Sequence, residues 1–331
     1  MALRPVPVLP LALLLTLPLA ACADPETAPP PERAAPARAI PMRGSPPVVR
    51  RLPEPAPPRG ATRPAATLPA FTAELRLEHG SHATPAGAPT VVVHGPLGLP
   101  AGRPLHLVLF LHGWRGCARV LAADGQIACR EGGSARRGWG LSTLHDAAGS
   151  ATVLVVPQLA WLTRDGSPGR FAQPGFAEAW LDELAEALRE ELGGARPDIG
   201  SVTLVAHSAG YETALAFLAQ AERVPIRNVV LMDALYGGTE DFAAWALADD
   251  GRRLMSLHTD QRSTSRESAA LARLCSEQMG AEAVSNEDAG SIGEAVLTHR
   301  VVVRRSPWGH GAIPSRQLEE VLRALPLPAR P

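Results

Sequence analysis

The sequence predicts an α/β fold with a mostly parallel central sheet, helices on both faces of that sheet and no large cap domain. Two observations lead to this. Short, almost wholly apolar runs recur from residue 105 onward, as in buried central strands. Stretches with helical periodicity separate these runs. Strands that alternate with helices over this length form a parallel sheet covered on both sides.

The strands follow one another from residue 72 to residue 304. The first two are expected to be antiparallel edge strands, and the others to form the buried sheet. The predicted strands are Thr72–Glu78, Thr90–His94, Leu105–Leu111, Ala151–Pro157, Ser201–Ala206, Asn228–Met232, Arg253–His258 and Arg300–Arg304. The predicted helices are Ala177–Leu192, Gly210–Ala221, Glu267–Met279 and Arg316–Leu325.

The first 21 residues are typical of a secretory signal peptide. Arg4 precedes a leucine-rich run that is too short, and too interrupted by proline, for a membrane-spanning helix of about 20 residues. The run ends in the sequence LAAC at residues 19–22, which resembles the lipobox of bacterial lipoproteins. The alternative is an ordinary signal peptide with a chance cysteine.

The lipobox resemblance implies that Cys22 becomes the first residue and carries the acyl chains. Two or more chains give stable membrane attachment. Ala23 follows the cysteine in place of aspartate, which favours the outer membrane over the inner one. The resemblance therefore implies a protein anchored in a bacterial cell envelope, with its domain in the periplasm or at the cell surface.

Residues 22–70 have the composition of a disordered tether. Proline, alanine and arginine dominate, and residues 23–70 hold 14 of the 33 prolines of the chain. Such a segment buries too little apolar surface to offset the entropy of ordering it. The sequence thus predicts three parts: the signal peptide, the lipidated tether, and a folded domain from residue 71 to residue 331.

The charge balance excludes a dedicated nucleic-acid binder, which would show a strongly basic face. The formal net charge of the chain is −1. That value combines a basic tether with an acidic folded domain. No phosphate-binding loop, dinucleotide fingerprint or zinc-ligand spacing occurs, so the sequence predicts no cofactor and no metal.

A motif for nucleophilic catalysis follows the strand Ser201–Ala206. Residues 206–210 read AHSAG and lead directly into a predicted helix. This closely resembles the nucleophile elbow Gly-x-Ser-x-Gly of the α/β-hydrolase family, with Ala206 in place of the first glycine. The resemblance implies that Ser208 is a nucleophile whose hydroxyl projects above the sheet.

The same family places an acid and then a histidine after the serine. His310 lies in a glycine-flanked loop after the last strand, where the family has its histidine. Two residues are candidates for the acid, because Asp233 and Asp260 each follow a strand. Asp233 is preferred, since it comes immediately after its strand.

The resemblance also implies an oxyanion hole. Its donors would be the backbone N–H of Ala209, after the nucleophile, and that of Trp114, in the loop after the first central strand. Gly113 allows the backbone to approach closely there. His112, which precedes it, is expected to brace the loop rather than to act as a base.

Five of the six tryptophans, Trp114, Trp139, Trp161, Trp245 and Trp308, lie on stretches that could reach one rim of the domain. This predicts an aromatic-walled cleft, with Trp161 and Trp308 as substrate-binding candidates. The alternative is that these side chains fill the core under long loops.

The remaining cysteines are consistent with export. Cys117 and Cys129 bracket an eleven-residue loop after the oxyanion turn, and in an oxidising compartment they would form a disulfide. Cys275 is expected to be a buried free thiol.

Taken together, the motifs imply a serine hydrolase that cleaves an ester or amide bond of a small molecule without a cofactor. An esterase or lipase is the preferred interpretation. The alternatives are a serine peptidase of the same fold and a non-catalytic binding lipoprotein of the envelope.

Overall fold

The computed structural model describes residues 67–288 and 290–330. The predicted signal peptide, Cys22 and nearly all of the tether lie outside these residues. The strands are β1 (Thr67–Leu68), β2 (Phe71–Leu75), β3 (Val91–Gly95), β4 (Leu99–Pro100), β5 (Leu105–Leu111), β6 (Gln126–Ala128), β7 (Ala135–Arg137), β8 (Val153–Pro157), β9 (Ile199–His207), β10 (Ile226–Met232), β11 (Arg253–His258), β12 (Val284–Ser285) and β13 (Val301–Arg305).

The helices alternate with the strands of the main sheet. They are α1 (Ala118–Ala122), α2 (Leu141–Ala148), α3 (Phe176–Ala187), α4 (Gly210–Leu218), α5 (Thr239–Leu247), α6 (Arg262–Met279), α7 (Ile292–Thr298) and α8 (Ile313–Ala324). Gly169–Ala172 and Ala281–Ala283 form short 3₁₀ helices. Among the described residues, no helix is both long enough and apolar enough to cross a lipid bilayer.

A nine-stranded sheet runs in the order β2-β3-β8-β5-β9-β10-β11-β13-β12. β3 pairs antiparallel with both of its neighbours, β2 and β8, and the pairs from β8 to β12 are all parallel. Two small antiparallel ribbons, β1 with β4 and β6 with β7, lie outside this sheet. The sheet is therefore mostly parallel, as the sequence predicts.

Side chains alternate between the two faces of the sheet along β5. Leu107 and Leu109 pack into one hydrophobic cluster, together with residues of α3, α4, α5 and α6. Val108 and Phe110 pack into a second cluster, with residues of α1, α2, α7 and α8. Both faces are thus covered by helices, and no large cap domain interrupts the described residues. This architecture is the predicted α/β-hydrolase fold.

Two element predictions are corrected. The stretch Thr90–His94, expected at the edge, forms β3 inside the sheet, where all of its residues are buried, because its valines are apolar on both faces. Residues 67 and 68, expected in the tether, form β1, and Leu68 packs against the core.

The ends of several helices also differ from prediction. The helix expected over Ala177–Leu192 ends at Ala187. The chain continues in turns as far as Gly193 and Gly194. Their φ angles of +88° and +93° are incompatible with a right-handed helix. The last predicted helix begins earlier, at Ile313. Helices α1, α2, α5 and α7 are not among the predicted helices.

Candidate active site

The turn between β9 and α4 holds Ser208 in a strained backbone conformation. Its φ angle is +55°, in the left-handed region that side chains other than glycine rarely adopt. Small neighbours make the turn possible: a Cβ on Gly113 would lie 2.5 Å from the Cβ of Ser208. The non-glycine residues with positive φ in the described part of the chain are Arg115, Leu162, Ser208 and Asp233.

Three side chains at the carboxyl ends of β9, β10 and β13 form a hydrogen-bonded chain. Nε2 of His310 lies 3.0 Å from Oγ of Ser208. Nδ1 of the same ring lies 2.6 Å from Oδ2 of Asp233. Because the Nδ1–H of His310 donates to the Asp233 carboxylate, the unprotonated Nε2 of the same ring can accept the proton of Ser208. The structure thus brings together a serine, a histidine and one of the two candidate acids.

Asp233 is fully buried, and neighbouring groups hold its carboxylate in place. Thr259 donates to it through its backbone N–H and through its hydroxyl, both at 2.9 Å, and the hydroxyl of Thr264 donates at 2.6 Å. Burial alone would raise the pKa of Asp233, but these hydrogen bonds and the one from His310 outweigh it and lower the pKa to about 2. The carboxylate therefore stays ionised at neutral pH.

The other candidate acid, Asp260, lies outside this chain. Its side chain is 75% exposed and pairs with Arg305 at 2.5 Å. Its neighbour Thr259 points inward and binds Asp233 instead. Of the two acids that the sequence left open, only Asp233 contacts His310 in the structure.

The backbone amides of Ala209 and Trp114 are the oxyanion donors that the sequence predicts. A Cβ on Gly113 would lie 3.1 Å from the N atom of Ala209, so the turn after β5 passes directly over that amide. Neither the Ala209 nor the Trp114 N–H donates to a backbone carbonyl within the described part of the chain. Of the two, the Ala209 amide lies beside Ser208 and Gly113 and could bind an oxyanion there.

His112 holds this turn in place through hydrogen bonds at both of its ring nitrogen atoms. Its Nδ1 donates to the carbonyl oxygen of Gly113 at 2.8 Å, and its Nε2 accepts from the backbone N–H of Leu159 at 3.1 Å. Burial lowers the pKa of His112 to about 4, so the ring is neutral. With both nitrogen atoms engaged in this way, the ring cannot serve as a base and instead fixes the loop.

His207 performs a similar task for the loop of His310. It is buried, and burial, with the nearby His310 ring, lowers its pKa to about 4. Its Nε2 donates to the carbonyl oxygen of His310 at 2.9 Å. Sequence reasoning missed this residue, although its position next to Ser208 in the elbow was a signal.

Two cavities flank Ser208 and His310. The first, with a volume of about 330 Å³, is lined by Arg115, Arg136 and Arg137 among other residues, and is called the arginine cavity below. The second, of about 420 Å³, is lined by Tyr211 and Tyr236 among others, and is called the tyrosine cavity. A substrate bound at Ser208 can therefore extend to either side of the nucleophile.

The tyrosine cavity includes both tyrosines of the chain. The rings of Tyr211 and Tyr236 lie 6.1 Å apart, and the Tyr236 ring lies 6.4 Å from that of His310. Glu212 and Trp114 complete much of the wall. Sequence reasoning missed the tyrosines, although two tyrosines close to the ends of neighbouring strands were a signal.

The tryptophans divide between the site and the rest of the domain. Trp114, which is 57% exposed, lines both cavities, and Trp139 lines the arginine cavity. Trp161 and Trp308, the predicted substrate-binding residues, line neither of these two cavities. Trp245 is buried in the core. The aromatic wall is thus made of two tryptophans and two tyrosines.

Trp161 and Trp308 have other contacts. Trp161 packs against a small cluster formed by Val120, Cys117 and Cys129. The guanidinium of Arg316 lies over the Trp308 ring, 5.2 Å from its centroid. Neither contact places the ring against Ser208.

All three cysteines of the described residues are buried free thiols. Cys275 has this state as predicted. Cys117 and Cys129 differ from the predicted disulfide, because each keeps its thiol, and a hydrogen bond joins them. Burial and this hydrogen bond raise the pKa of Cys117 to about 12. Because the two thiols are close together, the disulfide stays a prediction for oxidising conditions.

Within residues 67–288 and 290–330, no three His, Cys, Asp or Glu side chains form a group that could hold a metal ion.

No family model and no curated protein matches the sequence. Solved structures with a similar architecture include a serine-to-alanine mutant of the feruloyl esterase module from Clostridium thermocellum, complexed with sinapinate, at 7% identity and a TM-score of 0.46, covering 79% of this chain and 96% of that one. An S-formylglutathione hydrolase from Agrobacterium tumefaciens has 12% sequence identity and a TM-score of 0.42, and the match covers 77% of this chain and 95% of that one. A Pyrobaculum calidifontis esterase has 12% sequence identity and a TM-score of 0.39, and the match covers 78% of this chain and 84% of that one. These scores are low, so the fold is assigned from the sheet itself.

Proposed function

We propose that this protein is a serine hydrolase that cleaves an ester bond through an acyl-enzyme on Ser208. The observation that carries the proposal is the hydrogen-bonded chain from Ser208 through His310 to Asp233. A serine becomes a nucleophile when a base of this kind accepts its proton and an acid orients that base. A binding protein has no need for all three groups in this order.

The proposed reaction has two steps. His310 removes the Ser208 proton as the hydroxyl attacks the ester carbonyl, and the Ala209 and Trp114 amides bind the oxyanion. His310 then gives the proton to the departing alcohol. In the second step a water molecule, activated by His310, releases the acid from Ser208. Asp233 remains ionised throughout and orients the imidazole.

The two cavities support a small or medium-sized substrate. Each is large enough for a substituent of one or two rings, and Ser208 lies where they meet. The Tyr211 and Tyr236 rings would favour an apolar or ring-bearing group on their side. An ester of this size is the preferred substrate class.

The test is labelling with a fluorophosphonate probe. Wild-type protein should be labelled and should hydrolyse a 4-nitrophenyl ester, and Ser208→Ala should lose both properties. Ser276→Ala, which changes a partly exposed serine of α6, is the matched control and should keep both. A folded Ser208→Ala protein that is labelled like the wild type would exclude Ser208 as the nucleophile.

We propose a lipid anchor at Cys22, as the resemblance of residues 19–22 to a lipobox implies. Expression in a bacterial host with radiolabelled palmitate should label the wild-type protein and place it in the outer-membrane fraction. Cys22→Ala should lose the label and leave the membrane, whereas Ser45→Ala in the tether should retain both. Membrane attachment of the Cys22→Ala protein would refute the anchor.

A further inference from the structure

The arginine cavity carries charge of a single sign. Arg115, Arg136 and Arg137 line it, and no aspartate or glutamate is among its lining residues. His112 and His207, which also line it, are neutral at pH 7 because burial lowers their pKa to about 4. The cavity beside the nucleophile is therefore strongly positive.

These three arginines are not neutralised by the protein. None pairs with a carboxylate in the part of the chain that the structure describes; Arg136 donates only to the carbonyl oxygen of Arg115, at 3.2 Å, and more weakly to a thiol. Elsewhere on the surface, guanidinium groups such as those of Arg223 and Arg300 do pair with carboxylates. The guanidinium groups of the arginine cavity thus keep donors that a ligand could use.

The backbone fixes where these side chains begin. Arg136 and Arg137 belong to β7, which pairs in register with β6. Arg115 has a φ angle of +55°, and its N–H donates to the carbonyl oxygen of Thr163 at 2.6 Å. Arg115 directly follows Trp114, which also lines this cavity. The backbone positions from which the three exposed side chains extend are therefore fixed beside the site of chemistry.

The tyrosine cavity lacks this positive charge. No arginine lines it, and Glu212 does. Burial raises the pKa of Glu212 above its usual range, and the nearby Asp165 raises it further. A negative group on the substrate would gain nothing on this side, so the charge difference between the cavities gives a bound substrate a direction.

We propose that the arginine cavity is a subsite for a carboxylate or phosphate group of the substrate, so that the enzyme prefers esters that carry a negative charge. Guanidinium groups fit these anions because their planar forks donate two parallel hydrogen bonds. A cavity lined by one sign of charge also concentrates oppositely charged substrate near the nucleophile. This inference rests on the proposed esterase activity.

The experiment compares charged and neutral esters of equal length on the full chain. The mono-4-nitrophenyl ester of adipic acid is compared with 4-nitrophenyl hexanoate, which places the charge in the acyl part. The hexanoyl ester of 4-hydroxybenzoate is compared with that of 4-hydroxybenzamide, which places it in the alcohol part.

In at least one of the two pairs, the charged ester should have a kcat/KM about tenfold higher than its neutral partner at low salt, as one charge-assisted hydrogen bond provides. That advantage should shrink in about 0.5 M NaCl, because salt screens exposed charges. The double variant Arg115→Gln/Arg137→Gln should abolish the advantage of the charged ester over its neutral partner, mainly by raising KM for the charged ester. Arg130→Gln, which removes a nearby exposed charge outside the cavity, should change nothing.

Two results would overturn the inference while leaving the esterase proposal intact. One is Ser208-dependent hydrolysis of all four esters with no preference for charge in either pair. The other is a preference that persists in the Arg115→Gln/Arg137→Gln protein. Failure of every ester, together with no fluorophosphonate labelling, would instead reject the esterase activity and this inference with it.

Discussion

His207 donates a hydrogen bond from Nε2 to the backbone carbonyl of His310, and their rings lie only 4.8 Å apart. The residue before the proposed nucleophile thus holds the loop of the proposed base. The two residues are far apart in sequence, and this bond links the end of β9 to the loop between β13 and α8.

His207→Phe tests this link, because phenylalanine keeps an aromatic ring and removes the donor. We expect kcat to fall about tenfold with little change in KM, since the loss of one buried hydrogen bond costs about 1 kcal/mol and here misplaces the base. His106→Phe, at the opposite end of the sheet, removes a similar bond to Ser201 and should leave kcat unchanged. Equal effects of the two variants on kcat would argue against a positioning role.

The identity of the acid is tested by comparing Asp233→Asn with Asp260→Asn. Asp233→Asn should reduce kcat about 10⁴-fold, because asparagine holds the histidine in the wrong tautomer. Asp260→Asn should stay within about twofold of wild type, since its exposed pair with Arg305 contributes little. Equal, small losses in both variants would mean that neither residue is the acid.

Gly113→Ala tests the proposed oxyanion hole, whose backbone donors cannot themselves be replaced. The new Cβ would lie 2.5 Å from the Cβ of Ser208 and 3.1 Å from the N atom of Ala209, so the turn has to move. We expect kcat to fall about 10²–10³-fold, the usual cost of losing one oxyanion donor. Gly309→Ala, whose Cβ would meet nothing within 4 Å, is the control in the neighbouring His310 loop. A fully active Gly113→Ala enzyme would contradict this assignment.

Asp233 should also make stability depend on pH in the acidic range. Its carboxyl takes up a proton near pH 3.8 in the unfolded chain and only near pH 2 in the folded protein. The free energy of unfolding should therefore fall by about 2 kcal/mol as the pH drops from about 4 to about 2. The buried neutral histidines act in a separate window, between about pH 6.5 and pH 4.

Urea unfolding at a series of pH values measures this effect. The slope between pH 4 and pH 2 should flatten in Asp233→Asn and persist in Asp260→Asn. If the Asp233→Asn protein keeps the wild-type slope, the hydrogen bonds to the carboxylate do not lower the pKa of Asp233 in the wild-type protein.

The thiols of Cys117 and Cys129 should join under oxidising conditions. The reaction should be slow, because burial and their mutual hydrogen bond raise the pKa of Cys117 to about 12 and little thiolate forms. Intact-mass measurement should show the loss of two hydrogens, and closing this short loop should stabilise the protein by about 2–3 kcal/mol. Cys129→Ser should abolish both effects, whereas Cys275→Ser should not.

The sequence predicts the features that local patterns encode. Apolar runs identify the central strands, and the small residues around Ser208 identify the elbow, because both patterns arise from near neighbours in the chain. The choice between Asp233 and Asp260 was harder. Both follow a strand, and what separates them is the set of donors on Thr259 and Thr264. The pairing of β11 with β10 brings Thr259 to Asp233, and the packing of α6 brings Thr264.

The cavity walls were the hardest to predict. β6 and β7 are three-residue strands with no hydrophobic alternation, so nothing in the local pattern places Arg136 and Arg137 beside Ser208. Likewise, Trp308 has the right position in the chain for a substrate contact, yet Arg316 covers its ring. Such contacts join segments that are distant in sequence.

In the part of the chain that the structure describes, four non-glycine residues have positive φ angles. Ser208, Asp233 and Arg115 belong to the proposed site, and Leu162 donates through its N–H to the loop after Trp114. Each such conformation costs about 1–3 kcal/mol, and glycine would adopt it without that strain. Glycine at Ser208 or Asp233 would therefore relieve backbone strain, but it would remove a side chain that the proposed reaction uses. At these two positions the proposed chemistry and the stability of the fold make opposite demands on the same residue.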